Sequence, residues 1–373
     1  MRTVRQRLAF SGLLFLALVA LVYVGWVVQR SWSAYSWQIA GRGTVGGLYE
    51  ADPELGFRLV PGAVGAERFP IGPDVPARVD REGFRVPVDG PDPSPRTRPL
   101  VLAFGCSFTF GAACTAEDAF AYRVAQGLGG SCVNAGVSSY GEAQMLILAR
   151  RQIPRLRPDV VLFQHSRWLG DRSRTWKAMT YFGDVPTPTF VGTEARLRPP
   201  RFSPIVFDLP VDRYLRAEPG ALGFLSFLFR AGFPMFLHDD AHRAWAAATS
   251  DAEEATPDSI FFPKVHAEVA ELCRANGARL VYVVIGSGCP GEPTPKHITE
   301  SGSLFVNASE ALCGSLPGME GLDMRAQCLI YLDHFAHWAG DPRVMIDVHP
   351  NAAAHAVIAD QILSVLRADQ GSR

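Results

Sequence analysis

From Leu8 to Val28 the chain reads LAFSGLLFLALVALVYVGWVV, without one charged residue. At the rise of an α-helix such a run crosses a hydrocarbon layer of about 30 Å, so the folded domain has to be built from the residues C-terminal to it. Arg2, Arg5 and Arg7 precede the run, and Tyr23, Trp26, Trp32, Tyr35 and Trp37 gather at its far end. Positive charge on one flank and aromatic rings on the other orient a span with its N-terminus in the cytoplasm and everything past Arg30 exported. A cleaved signal peptide would carry a shorter apolar region closed by small residues in an A-x-A pattern, and no such site is present here. The organisation expected is therefore a cytoplasmic tail at 1–7, a transmembrane signal anchor at 8–29, a linker and extended arm at 30–98, and an α/β domain at 99–368 with an insert at about 166–259. The chain is expected to be membrane-anchored and single-pass, with its C-terminal domain periplasmic or otherwise extracytoplasmic.

The 373 residues, 48% of them hydrophobic, are ample for a large core. A formal net charge of −1 leaves no basic surplus to neutralise a phosphate backbone, which argues against nucleic acid as a partner. Seven cysteines in an exported chain leave at least one unpaired. Cys289, Cys313 and Cys328 fall in a loop-rich stretch where a disulfide could close a long connection. No C-x-x-C and no tight Cys/His group appears, so no metal is expected; His334 and His337 in DHFAHWAGD lack a third nearby ligand.

Past Val64 a stretch rich in Pro, Gly and Asp, including VDGPDPSPRTRP, favours extended and turn conformations and reads as an arm on the surface. Regular alternation begins at Pro99. Strands are expected at Leu100 to Phe104, Cys132 to Ala135, Pro158 to Gln164 and Ala278 to Ile285, with a last one at Arg343 to Asp347. Between them, helical patterns run over about Glu117–Leu128, Glu142–Ile153, Phe261–Asn276 and Asn351–Leu366. Near-continuous apolar strands separated by helices specify an α/β doubly wound parallel sheet in three layers. Sites in such folds lie beyond the C-terminal strand ends. That edge holds Ser107 in AFGCSFTFGA and the acid–imidazole pair of DVHPN, Asp347 to Asn351. A serine hydroxyl becomes a nucleophile when an imidazole takes its proton, and the imidazole works best when a carboxylate fixes its tautomer. Ser107, His349 and Asp347 can fill those roles, with Asp341 an alternative carboxylate.

These segments resemble, in order, the SGNH or GDSL hydrolases. VLAFGCSFTFG is similar to that family's first block, VNAGVSSYG (Val133 to Gly141) to its second, RPDVVLFQ to the strand of its third, and DVHPNAAAHAVIADQI to its last. DPELGFRLVPGA and VDREGFR resemble the arm of membrane-anchored bacterial members. The resemblance spans roughly residues 50 to 368 with the long inserts unmatched, and implies an SGNH-hydrolase, flavodoxin-like sheet. It implies Ser107 as nucleophile, His349 as base, Asp347 as its orienting acid, and backbone N–H groups of Ser107 and Ser139 as oxyanion donors. No metal or organic cofactor is needed for that chemistry.

The sequence departs from the family at four places. Cys106 stands where the family has aspartate; as neighbours in a turn point apart, Ser107 is kept as the nucleophile over Cys106. Ser139 aligns with a glycine, whose N–H any residue but proline can supply. The third-block asparagine is missing from FQHSRWLGDR, leaving His165, Ser166 or Arg167 as substitute oxyanion donors. Asp347 and His349 are one residue apart where the family more often has two. His355 is expected on the face of the final helix. The functional expectation is an ester hydrolase acting on an acylated glycan or lipid of the cell envelope. A weakened SGNH-like binding module and an O-acyltransferase are the alternatives.

Overall fold

The computed structural model describes residues 2–39, 43–45, 47–69, 71–90, 92, 96–175, 177–180, 183–200, 220–233, 236–237, 240–241, 244, 255–286, 288 and 291–371. Nine strands make one sheet: β1 (Gly43–Val45), β2 (Val64–Arg68), β3 (Val75–Val79), β4 (Arg85–Val86), β5 (Leu100–Phe104), β6 (Ser131–Asn134), β7 (Val160–His165), β8 (Arg279–Val284) and β9 (Leu304–Asn307). Their order across the sheet is β1-β2-β3-β4-β6-β5-β7-β8-β9. The five strands β6-β5-β7-β8-β9 are mutually parallel, and β1 to β4 extend the sheet antiparallel from the edge of β6.

Every residue of β5 and β7 is buried, as is all of β8 except the half-buried Arg279. Such strands need helices on both faces to remove their side chains from water. On one face lie α3 (Phe120–Gly127), α7 (Ala308–Gly314) and α9 (Ala352–Gly371); on the other lie α4 (Glu142–Leu156) and α6 (Asp258–Ala275). Short helices α2 (Ser107–Phe110) and α5 (Arg167–Arg174) come directly after β5 and β7, and α8 (Met324–Phe335) precedes the final hairpin. Among the parallel strands, the first and third in sequence, β5 and β7, are neighbours with the second outside them, so the winding reverses between them. In an open α/β sheet that reversal opens the crevice where ligands bind.

The structure corrects three expectations. The stretch read as a surface arm supplies β2, β3 and β4 to the central sheet. The fifth parallel strand is β9, in a region read as irregular, whereas Val344–Asp347 pairs antiparallel with His337–Ala339 outside the sheet. Helix α4 continues past Pro154 to Leu156. Of the insert at 166–259, residues 201–219 and 245–254 and a few shorter pieces lie outside the described residues. Its described residues hold α5, two small hairpins and the helical piece Ala221–Gly232.

Helix α1 (Arg2–Ile39) contains the apolar segment Gln6–Ser33, long enough to cross a membrane, with a mean hydropathy of 2.4 and none of its best window buried. Its distal end behaves differently. Val27, Ser31 and Tyr35 are buried, Tyr35 Oη donates to Gly220 O at 2.9 Å, and Arg30 pairs with Asp240 at 3.5 Å. The helix therefore docks onto Ala221–Gly232. Cys313 is disulfide-bonded, Cys106, Cys114, Cys132 and Cys273 are buried thiols, and Cys289 lies outside the described residues.

Candidate active site

The chain leaves β5 through Gly105, where any side chain would run into Thr109 Oγ1 and Gln164 Oε1. Cys106 is extended at the head of α2, and Ser107 is the first helical residue, buried at 5% exposure. Three segments hold this turn. From the antiparallel half, the buried guanidinium of Arg85 donates to the carbonyls of Phe110 at 2.6 Å, Gly111 at 2.7 Å, and Cys114. Glu67 accepts from Ala113 N at 2.7 Å. From the end of β7, Gln164 Oε1 accepts from Cys106 N at 3.0 Å and Thr109 Oγ1 at 2.8 Å, while its Nε2 donates to Ser166 Oγ at 2.8 Å.

The second block closes the third side. Asn134 Nδ2 donates to Thr109 O at 2.9 Å and Val137 N to Gly105 O at 3.1 Å. A Cβ on Gly136 would come within 2.6 Å of Phe110 N, so this loop lies directly on α2. Ser139 comes next with φ of 70°, the left-handed region where glycine is at ease and other residues are strained.

The final hairpin ends at Asp347, and His349 lies in the bend before α9. His349 Nε2 is 2.8 Å from Ser107 Oγ and His349 Nδ1 is 2.5 Å from Asp347 Oδ1. The same carboxylate oxygen accepts the backbone N–H of His349 at 2.7 Å. Burial disfavours a charged imidazole, but the hydrogen bond and charge of Asp347, with help from Glu67, hold His349 above its ordinary value of 6.5. Burial would likewise raise Asp347, and its bonds to His349 instead hold it below the ordinary carboxylate value. Phe108 packs on the His349 ring at 5.1 Å, and Trp168 packs on Phe108 at 5.0 Å.

Residues 107, 347 and 349 thus form one hydrogen-bonded chain across the switch point, in the order hydroxyl, imidazole, carboxylate. Asp341 is exposed. Burial would raise the Cys106 thiol, but the charge of Arg172, the N–H of Phe108, Trp168 and Gln164 bring it below the ordinary thiol value. Gln164 Nε2 donates to Cys106 Sγ at 3.2 Å.

Of the three substitutes for the missing asparagine, only Ser166 lies in the Gln164 network. His165 alternates to the other face, its ring against Phe262, His266 and His297. Arg167 is exposed, its N–H donating to Glu292 Oε2 at 3.2 Å. His355 Nδ1 accepts the Phe120 N–H at 3.2 Å and is buried on the face of α9. His337 contacts Pro350 O at 3.2 Å and His334 contacts Ile330 O at 2.9 Å, so the two rings have separate partners. Sequence reasoning missed Glu67, Arg85 and Gln164; the only available signals were the charged residues of the arm and the one polar residue ending an apolar strand.

No family model matches the sequence, and no curated relative matches it. Hydrolases are among the solved structures similar to the chain. LAE5, an alpha/beta hydrolase enzyme from the metagenome of Lake Arreo, is 12% identical over 72% of this chain and 95% of its own, with a TM-score of 0.35. Axe2, an acetylxylan esterase from Geobacillus stearothermophilus, is 14% identical over 72% and 94%, with a TM-score of 0.34. The psychrotrophic esterase EstA from Pseudoalteromonas sp. is 11% identical over 73% and 99%, with a TM-score of 0.33. At this distance the chemistry has to be argued from the site itself.

Proposed function

We propose that the chain is a serine ester hydrolase of the SGNH or GDSL type, anchored by α1 and acting outside the cytoplasm on an acylated glycan or lipid of the cell envelope. The observation that carries this reading is the 2.8 Å approach of His349 Nε2 to Ser107 Oγ, with Asp347 on the opposite ring nitrogen. Ser107 Oγ attacks the ester carbonyl while its proton passes to His349 Nε2. The carbonyl π electrons move to oxygen, where the N–H groups of Ser107 and Ser139 receive the developing charge. As the tetrahedral centre collapses, the C–O bond to the alcohol breaks and His349 returns the proton to the leaving oxygen. Water, activated by the same imidazole, then releases the acid from Ser107. A sugar hydroxyl in place of that water would make the protein an O-acyltransferase with the same residues. The arginines in the first turns of α1 and the aromatic residues towards its far end support the exported side for the domain.

A fluorophosphonate probe tests the reading on the full chain in detergent. The expected result is one adduct, mapped by mass spectrometry to Ser107 and absent in Ser107→Ala. An unlabelled wild-type protein, or an adduct mapped elsewhere, overturns it and leaves a binding module. Product formation with and without a sugar acceptor then separates hydrolysis from transfer.

A further inference from the structure

Behind the sheet from Ser107, three side chains from distant parts of the sequence converge. Glu142 is the first residue of α4, His165 the last of β7, and His266 lies midway along α6. One potential ligand atom from each lies within 4.8 Å of those of the other two. All three are buried, at 0%, 5% and 1% exposure. His266 Nε2 is 2.8 Å from Glu142 Oε1, and His266 Nδ1 is 2.9 Å from His297 Nε2. Two atoms of the cluster, Glu142 Oε2 and His165 Nδ1, are buried without a hydrogen-bond partner among the described residues. Each unmet buried polar atom costs about 1–3 kcal/mol. Two in one cluster mark a place arranged for something else.

The electrostatics point the same way. Burial presses His165 down to about 2 and His266 to about 3, with neighbouring imidazoles adding to the shift of His165, so both rings are neutral and offer a lone pair. Burial, then the charge of Asp258, raises Glu142 well above the ordinary carboxylate value. A cation bound by the two imidazole nitrogens and a carboxylate oxygen would give all three groups a partner.

We propose that Glu142, His165 and His266 bind a divalent transition-metal ion of the zinc class. Two imidazole nitrogens and one carboxylate select such an ion over calcium or magnesium, which want oxygen cages. His266 ligates through Nε2 and donates its Nδ1–H to His297, the outer hydrogen bond that fixes the tautomer of metal-bound imidazoles. With bonds of about 2.0–2.1 Å, tetrahedral donors sit about 3.3 Å apart, so the widest pair closes by on the order of 1 Å when the ion enters. The ion cross-ties the end of β7 to α4 and α6. Gln164 and Ser166 flank His165 in the chain, so that tie holds from behind the segment lining the Ser107 turn. Residues so far apart in sequence form no local ligand motif, which is why spacing alone predicts no metal.

The test uses the full chain in detergent, without a histidine tag, stripped with a chelator and then dialysed against zinc or cobalt(II). The wild type is expected to retain about one equivalent of zinc and to unfold at a higher temperature when loaded. The cobalt form is expected to show visible bands of tetrahedral type without a thiolate charge-transfer band, which separates this site from the buried cysteines. Glu142→Gln and His266→Gln are each expected to lose that spectrum. Absence of retained zinc and of any thermal shift in the wild type overturns the proposal, leaving a proton-linked Glu–His–His chain. Variants that fold and keep the spectrum unchanged also overturn it, by placing the metal elsewhere. Should the variants fail to fold, stoichiometry and spectrum of the wild type still decide.

Discussion

Asp347 Oδ1 grips His349 twice, through the backbone N–H at 2.7 Å and through Nδ1 at 2.5 Å. A carboxylate that accepts the N–H two residues on closes an Asx turn, and this turn swings the imidazole back onto its own aspartate. One intervening residue therefore suffices where two are commoner.

That grip sets the pH dependence. On the proposed mechanism His349 has to be neutral to take the Ser107 proton, and Asp347 favours its protonated form, raising it above 6.5. Plotted as kcat/KM, ester hydrolysis is expected to rise along an acid limb with its midpoint above that value. Asp347→Asn should move the limb down and lower kcat by about 10⁴-fold. An unmoved limb would assign the base to another residue. For stability the signs differ. The raised His349 contributes fully below its unfolded value and loses this as pH rises through the folded one. The depressed Asp347 contributes above its unfolded value and loses this as pH falls through the folded one. The pair is thus worth most in mildly acidic solution, between the two unfolded values.

Arg85 carries a prediction about folding. Its guanidinium, in a residue only 1% exposed, serves the carbonyls of Phe110, Gly111 and Cys114. Arg85→Met would leave these buried oxygens short of donors and Glu67 without its countercharge, at a cost of about 3–5 kcal/mol. Arg85→Lys should recover little, because an ammonium cannot reproduce the planar fork. Denaturant unfolding of the three proteins measures this, and an Arg85→Met midpoint equal to wild type would refute it.

Legibility in the sequence tracks the physics of burial. Leu100–Phe104 and Val160–His165 stand out because strands covered on both faces are apolar at nearly every position. Leu304–Asn307 is a four-residue edge strand with Phe305 at 36% exposure, and nothing in its pattern separates it from a loop. Val344–Asp347 looks equally apolar but belongs to a partly exposed hairpin. Ser107, Asp347 and His349 were readable as candidates because each sits in a block that resembles one of the SGNH or GDSL hydrolases. Arg85 and Gln164 were not, since their partners lie 25 and 58 residues away and no periodicity encodes such a meeting.

Ser139 yields a prediction from backbone strain. At φ of 70° Ser139 lies in the left-handed region, which strains a residue that carries a Cβ. Ser139→Gly keeps the N–H and removes the strain while loosening the unfolded chain, effects of opposite sign within about 1 kcal/mol of each other. Stability and turnover should stay close to wild type. Ser139→Val, β-branched in the left-handed region, should cost about 1–3 kcal/mol. Equal melting temperatures for the glycine and valine variants would mean that this backbone geometry is not held in solution.

Gln164 makes the sharpest test of how the turn is built. Among the described residues its amide alone touches Cys106 N, Thr109 Oγ1 and Ser166 Oγ together, so it ties the turn that carries Ser107 to the segment after β7. Gln164→Ala strips the buried Cys106 N–H of its acceptor and Ser166 of its donor, an expected loss of about 2–4 kcal/mol by the cost of unmet buried groups. Gln164→Glu restores the acceptor but not the donor, and puts a carboxyl against the turn whose Ser107 N–H receives the oxyanion in the proposed mechanism. Stability should then be partly recovered while kcat falls further than KM changes, because a like charge opposes the transition state and not the bound ester. A glutamate variant with wild-type kcat would show that Gln164 supports the fold alone and that the oxyanion forms away from Ser166.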